Sequence, residues 1–154
     1  MNNNLKKVEE FQLFFGKPVR KKPTLISKPE FELRVKLLKE ELQELEDAYE
    51  ANDLIEIADA LIDIEYILHG TTLEMGFGDY NEILFDEVHS SNMSKACDTL
   101  DEANLSILSY KQKGVETYSL YKEEYGKYLI LRSEDNKILK SINYNEANLT
   151  NFFN

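Results

Sequence analysis

Five acidic side chains occupy positions where a pair of packed helices would be expected to carry apolar residues. Glu41 and Glu44 fall within the apolar stripe of one predicted helix. Glu56, Asp59 and Asp63 form a stripe on the next predicted helix, whose other positions are mostly aliphatic. A carboxylate directed towards a core is costly unless a cation offsets its charge, and carboxylate oxygens are the ligands that divalent metals such as Mg²⁺ prefer. The pattern therefore indicates a metal site.

Helical phase separates these acids from their acidic neighbours in the sequence. Successive residues of an α-helix are about 100° apart, so Glu41 and Glu44 share a face with Leu37. Glu46 and Asp47 point away from that face, and we expect both to be in solvent. The two pairs of acids on this helix therefore have different surroundings.

The sequence leaves two questions about these acids open. Glu40 lies about 100° from the direction of Glu41, so it could reach a shared metal or face water. Salt bridges to Arg34, Lys36 or Lys39 are the alternative explanation for the inward acids. Ion pairs at the surface would not require acids on an inner face, and the metal explains both stripes together.

The elements that must position these acids are mainly helical. Apolar periodicity and breakers predict helices over about residues 5–15, 28–51, 54–70, 80–93 and 100–113. The break at Asn52-Asp53 would pack the second and third helices antiparallel, so that their acid stripes face each other. Alternating residues then predict a hairpin from 116–121 and 127–132, followed by a short segment at 137–141. The expected fold is mainly α, a helical bundle with a small C-terminal helix and β-hairpin extension.

Length and charge limit the class of protein. The 154 residues are most simply one domain, with a helical core over about 5–96 and an α+β extension over about 97–142. A formal net charge of −11 argues against a nucleic-acid polymer as partner. The sequence lacks a membrane-spanning apolar run and an apolar signal-peptide core, and its single Cys97 cannot form an internal disulfide. We therefore expect a cytoplasmic protein with no membrane partner.

The order Glu41-x-x-Glu44 then Glu56-x-x-Asp59 resembles the signature of the all-α nucleoside triphosphate pyrophosphohydrolases, in particular their MazG-like and dimeric dUTPase-like branch. The resemblance covers roughly residues 5–96, through KKVEEFQLFFGKP, LRVKLLKEELQELEDA, EIADALIDIEYILHGT and EVHSSNMSKA. The later segment DNKILKSINY also resembles that branch. Residues 97–127 depart from it, because the relatives often pass more directly from the SNMSK segment to the following turn.

The resemblance implies a Mg²⁺-dependent enzyme that hydrolyses the bond between the α- and β-phosphates of a nucleoside triphosphate, with Mn²⁺ as a substitute metal. The products would be the monophosphate and pyrophosphate. Similarity to the MazG-like branch favours a housecleaning role on dUTP or another non-standard deoxynucleotide. Phosphoribosyl-ATP is the alternative substrate, and a non-catalytic helical module that binds a nucleotide or a partner is the alternative function.

The resemblance also assigns roles to residues. Glu41 or Glu44 is the catalytic candidate that orients the attacking water. The implied metal ligands are Glu41, Glu44, Glu56 and Asp59, with Glu40 and Asp63 as additional candidates.

Outside the acids, the resemblance implies that Asn92 and Lys95 bind the substrate. Lys95 would act as a point charge for phosphate, and Asn92 as a hydrogen-bond donor to sugar or phosphate.

Relatives assemble as dimers or tetramers. The third predicted helix is apolar nearly all round, and we expect it to be buried and to contribute to an interface of a homodimer or homotetramer.

Overall fold

The computed structural model describes residues 3–153, so Met1, Asn2 and Asn154 of the predicted domain lie outside the described residues. Five α-helices occur within 3–153, and these are α1 (Asn3–Phe14), α2 (Lys28–Glu50), α3 (Leu54–Glu74), α4 (Asn81–Met93) and α5 (Leu100–Gln112). A three-stranded antiparallel sheet in the order β1-β2-β3 is formed by Thr117–Lys122, Lys127–Arg132 and Ile138–Leu139. This confirms the predicted fold class, which is mainly α with a small C-terminal β extension.

Two compact units make up the described chain. The first contains residues up to Ile83 together with Phe153, and the second contains Leu84–Phe152. The boundary falls inside α4. That the whole chain acts as one domain stays a prediction, and each unit is described by itself.

The start of α2 is fixed by a capping box. The side chain of Ser27 accepts a hydrogen bond from the backbone of Glu30, and the Glu30 carboxylate accepts one from the backbone of Ser27. Arg20 donates to the same carboxylate at 2.7 Å. The bonds from Arg20 and Ser27 together lower the pKa of Glu30 to about 2. The predicted start of α2 is therefore confirmed, and a hydrogen bond from Arg20 connects it to the preceding basic loop.

A tight connection reverses the chain between α2 and α3. Asn52 takes a left-handed conformation with φ of 56°. Asp53 caps α3 by accepting hydrogen bonds from the backbone of Ile55 at 2.9 Å and of Glu56 at 3.2 Å. With only three residues between the helices, α2 and α3 pack against each other as an antiparallel pair, and α1 packs against α3. This pairing brings the two acidic stripes to the same side of the first unit.

The prediction that α3 ends near Gly70 is wrong, because the helix continues to Glu74. The hydroxyls of Thr71 and Thr72 donate to backbone carbonyls four residues earlier, which keeps both residues compatible with the helix. The glycine that turns the chain is Gly76, with φ of +79° and with its Cα hydrogen directed at the Lys22 carbonyl, where a Cβ would come within 1.9 Å. The extra turn is what brings Glu74 within reach of α2.

Glu74 and Arg34 form a buried ion pair between the C-terminal end of α3 and the N-terminal half of α2. Arg34 Nε donates to Glu74 Oε2 at 2.5 Å, and the side chains are only 13% and 7% exposed. Arg20 also donates to the Glu74 backbone carbonyl, at 2.8 Å. The core of this unit lies beside the pair and contains Leu5, Val8 and Leu73. The ion pair thus fixes the register of α2 on α3.

The second unit is organised around β2. Cys97 pairs with Tyr128 through two backbone hydrogen bonds, of 2.8 and 2.9 Å, and packs with Ala103 and Ile130. Burial raises the pKa of the Cys97 thiol. Thr99 and Glu102 form a capping box at the start of α5, which packs on β1 and β2. Within residues 3–153, no helix combines the length and the apolar character needed to cross a membrane.

Replacing Arg34 by methionine should destabilise the protein by about 3 kcal/mol, because the Glu74 carboxylate would stay buried without its counter-charge. Urea denaturation at neutral pH measures the change. Lys36→Met is the control, since Lys36 is 72% exposed in its ion pair with Glu40 and such pairs are worth at most about 1 kcal/mol. The double variant Arg34→Met/Glu74→Leu should regain most of the loss. An equal loss in Lys36→Met and Arg34→Met would contradict this account.

Candidate active site

Glu41 is the acid that the α2–α3 packing draws inward. It is half-buried and lies on the same face of α2 as buried Ala48, two turns later. Glu44, Glu56, Asp59 and Asp63, like Glu40, are exposed. The prediction of an inward position is therefore right for Glu41 and wrong for the other four stripe acids. These side chains reach solvent on the exposed side of the α2–α3 pair, whereas the smaller Ala48 and Ala60 are buried. The surface of the two helices that carries the six acids is called the acidic groove below.

Electrostatics show which acids share one region. The pKa of Glu41 is raised, first by burial and then by the negative charges of Glu44, Asp63, Glu40 and Asp59, in that order. Seven residues, or about 10 Å of helix, separate Glu56 from Asp63. The structure thus gathers Glu40, Glu44, Asp59 and Asp63 around Glu41 and places Glu56 towards the other end of the groove.

Positive side chains leave most of this cluster without an ion pair within residues 3–153. Arg34 pairs with Glu74, and Lys36 pairs with Glu40 at 3.2 Å in an exposed contact. In the described part of the chain the five stripe acids form no ion pair. The alternative explanation by salt bridges is therefore wrong for these acids.

One carboxylate oxygen of Glu41 has no hydrogen-bond partner among residues 3–153. This atom is Oε2, and it is buried. A buried, unpaired anionic oxygen is costly, so Glu41 and the carboxylates around it could hold a cation that offsets their charge.

The donor set fits Mg²⁺ better than a metal that needs a closed protein cage. Among residues 3–153, no group of three or more aspartate, glutamate, histidine or cysteine side chains is arranged so that it could hold a metal ion by itself. Mg²⁺ commonly takes one or two carboxylates, keeps several waters and bridges to substrate phosphates. A largely exposed group of carboxylates matches that mode of binding.

Asn92 and Lys95 lie together at the C-terminal end of α4, in the second unit. Lys95 Nζ donates to Asn92 Oδ1 at 2.6 Å. The serines of the same segment have a structural role, since Ser91 Oγ donates to the Asn145 carbonyl at 2.8 Å and Ser94 Oγ accepts from the Asn145 backbone at 2.9 Å. Asn92, by contrast, is exposed. The structure thus brings the two predicted substrate-binding residues together, and their role stays a prediction.

The burial of Gln12 was not predicted from the sequence. Gln12 is only 2% exposed and lies on α1 in line with Leu5 and Val8 of the core. The sequence does contain a signal for this burial, because positions 5, 8 and 12 follow the three- and four-residue spacing of a buried helical stripe. A polar residue at such a position is a candidate for a specific hydrogen bond.

Comparison with known protein families identifies the family of this chain. The family described as Phosphoribosyl-ATP pyrophosphohydrolase matches residues 8–92, which is more than half of the chain. The matched segment runs from α1 through nearly all of α4 and contains every acid of the groove together with Asn92. Lys95, α5 and the sheet lie beyond it. No curated protein matches the chain at a significant level.

Glu41→Gln should stabilise the metal-free protein at pH 8. Folding disfavours the ionised form of Glu41, so the penalty is absent below the ordinary pKa of a glutamate, grows as the pH rises from that value to the raised pKa, and is constant above it. Differential scanning calorimetry should show a midpoint roughly 1–3 °C above wild type at pH 8, since repulsion among partly solvated carboxylates is worth at most about 1 kcal/mol, and no difference near pH 4. Glu46→Gln, in solvent, should change neither value. A lower midpoint for Glu41→Gln at pH 8 would contradict the assignment.

Proposed function

The chain belongs to the phosphoribosyl-ATP pyrophosphohydrolase family, within the all-α nucleoside triphosphate pyrophosphohydrolase superfamily, and we propose that phosphoribosyl-ATP is its substrate. Membership makes it a pyrophosphohydrolase, as the resemblance predicted. The family match favours phosphoribosyl-ATP, which the sequence indicated as the alternative substrate. Deoxynucleoside triphosphates such as dUTP are the second candidate, favoured by the likeness of EVHSSNMSKA to the MazG-like branch.

The observation that supports hydrolysis is the uncompensated acidic groove around Glu41. Glu41, Glu44, Glu56 and Asp59 are the proposed metal ligands, and the position of Asp63 beside Glu41 supports adding it to the set. Bound Mg²⁺ would supply Lewis-acid polarisation of phosphoryl oxygens and offset charge on the leaving pyrophosphate.

The protein itself would orient the attacking water through Glu41 or Glu44. A carboxylate can act as base only in its ionised form. Because burial and like charges raise the pKa of Glu41, a nearby cation would favour its ionised form, whereas Glu44 is exposed on the same face. Glu40 is engaged by Lys36, which makes it a weaker candidate for either role.

Asn92 and Lys95 are proposed to contact the substrate. Lys95 offers a positive point charge for phosphate, and Asn92 offers an amide. The 2.6 Å bond between them holds the ammonium group in place and orients the Asn92 amide, whose nitrogen stays free to donate. Preorganisation of this kind reduces the entropy lost when a ligand is bound.

Compartment and excluded partners are proposed from composition. The free thiol of Cys97 is buried, as expected of a protein in a reducing cytoplasm. The net charge of −11 disfavours a nucleic-acid polymer, because phosphate backbones would be repelled. A small nucleotide delivered as a magnesium complex avoids most of that repulsion.

Self-association is proposed through α3. The expectation that α3 is buried nearly all round is wrong for the chain alone, since Leu54, Ile55 and Ile62 are 80%, 79% and 60% exposed. A neighbouring exposed row of the same helix contains Leu61 and Leu68. We propose that these surfaces are covered in a homodimer or homotetramer, because exposed apolar patches of this kind mark interaction sites.

A panel of phosphoribosyl-ATP, NTPs and dNTPs with Mg²⁺ should give pyrophosphate, and not orthophosphate, from one substrate class. Glu41→Gln and Asp59→Asn should each lower kcat/KM at least about 100-fold, because the lost interaction stabilises transition-state charge. Asp47→Asn is the matched control on the solvent face of α2 and should retain wild-type activity. Tight nucleotide binding without product from any member of the panel would overturn the proposal. Orthophosphate released directly would place cleavage elsewhere.

The double variant Ile55→Lys/Ile62→Lys should dissociate the assembly. Two charges placed on the α3 surface cannot be desolvated cheaply, so sedimentation equilibrium should report a lower mass than for wild type. Leu25→Lys, at a loop position that is 93% exposed, should leave the mass unchanged. A wild-type protein that is monomeric at tens of micromolar would contradict the proposed interface.

A further inference from the structure

A cavity of about 450 Å³ lies between α1, α2 and α3 in the first unit. Its volume falls in the range of small-molecule sites. Among its lining residues are Phe11, Gln12, Arg34, Leu37, Tyr66 and Ile67. Leu37 lies four residues before Glu41, and Ile67 lies four residues after Asp63, which is about 6 Å along each helix. The cavity and the acidic groove are therefore consecutive along the same helix pair.

Gln12 lines this cavity and carries an acceptor that has no hydrogen-bond partner among residues 3–153. Its Nε2 donates to the Pro18 carbonyl at 3.1 Å, which fixes the amide orientation, since the reversed amide would oppose two carbonyl oxygens. Oε1 is buried and makes no hydrogen bond to residues 3–153. A buried acceptor is costly unless it is satisfied, so this oxygen indicates a donor that arrives with a ligand.

Arg34 places a donor close to that acceptor. A Cβ at Gly70 would lie 3.7 Å from Gln12 Oε1 and 3.3 Å from Arg34 Nη1, so both atoms border the space that the glycine leaves open. Arg34 Nε is engaged by Glu74, which holds the guanidinium group in place. One acceptor and one donor therefore border the space at Gly70.

The walls near this polar pair are aromatic and apolar. The rings of Phe11 and Tyr66 meet edge to face, with centroids 5.6 Å apart, and Leu37 and Ile67 lie on the side of the acidic groove. A flat heterocycle whose edge carries an N–H beside a ring nitrogen or a carbonyl matches both the walls and the polar pair. Nucleobases have these edges, and one helical turn between cavity and acids leaves room for a ribose.

We propose that this cavity receives the nucleobase of the substrate, with Gln12 accepting a hydrogen bond from a base N–H and Arg34 donating to the adjacent acceptor. The assignment rests on the proposed nucleotide hydrolysis and deepens it. Gly70 is then required because a methyl group there would fill the space between the two polar atoms.

Kinetics of Gln12→Met and Gly70→Ala test the assignment. For the nucleotide that wild type hydrolyses, KM should rise roughly ten-fold in each variant, the effect of one lost hydrogen bond, with kcat nearly unchanged. Inorganic tripolyphosphate has no base, so its inhibition constant should stay at the wild-type value in both. Gln43→Met is the matched control, since the Gln43 amide bonds Asp47 on the exposed side of α2.

Wild-type KM values in both variants would overturn the base site while leaving the proposed function intact, and so would an equal rise in the tripolyphosphate constant. If wild type releases no pyrophosphate from any nucleotide, calorimetry with α,β-methylene-ATP, α,β-methylene-dUTP and Mg²⁺ separates the two proposals. Binding of either analogue that Gln12→Met weakens roughly ten-fold would support the base site without hydrolysis. Absence of binding to wild type would overturn both.

Discussion

The first unit is organised around a carboxylate that its own fold does not neutralise. Glu41 Oε2 is buried without a hydrogen-bond partner among the described residues, and the charges of Glu44, Asp63, Glu40 and Asp59 act on it. An arrangement of this kind lowers the stability of the helix pair and persists only if other contacts hold the helices together. Local destabilisation at one site, offset elsewhere, is characteristic of functional positions.

The compensating contacts lie at the two ends of the α2–α3 pair. At one end Asp53 caps α3 across the three-residue connection, and at the other Arg34 pairs with Glu74 in a buried contact. Between them Ala48 and Ala60 are buried, and their small side chains let the helices approach each other closely. The contacts at the two ends thus set the register of α2 on α3. This register places Asp63 beside Glu41, although the sequence indicated Asp63 only as an additional candidate ligand.

Local signals in the sequence were sufficient for the elements of this fold. Ser27 with Glu30, Asp53, and the alternating residues on both sides of Gly126 each act within a few residues of themselves, so the starts of α2 and α3 and the hairpin were predictable. The end of α3 was not, because Gly70 is tolerated in the helix by its packing against Arg34 and Gln12, which are distant in sequence. Helical phase identified Glu41 correctly but could not show that its neighbours are exposed, since exposure depends on which helices cover the groove. The pairing of Arg34 with Glu74, 40 residues away, could not be predicted either, because it also depends on how the helices pack.

The uncompensated negative charge around Glu41 bears on how the proposed metal would bind. Ligand carboxylates must be ionised to bind a cation, and burial together with like charges holds the pKa of Glu41 above its usual range. Binding of the proposed Mg²⁺ would therefore compete with a proton at Glu41 and would be weaker in acid. A cation among these acids would relieve the repulsion between them, which would add to its affinity without any additional ligand. Because no group of three or more candidate ligands among residues 3–153 could hold a metal ion by itself, water and substrate phosphates would have to fill the remaining positions. The charge distribution that destabilises the protein without a cation would thus favour the metal together with the nucleotide over the metal alone.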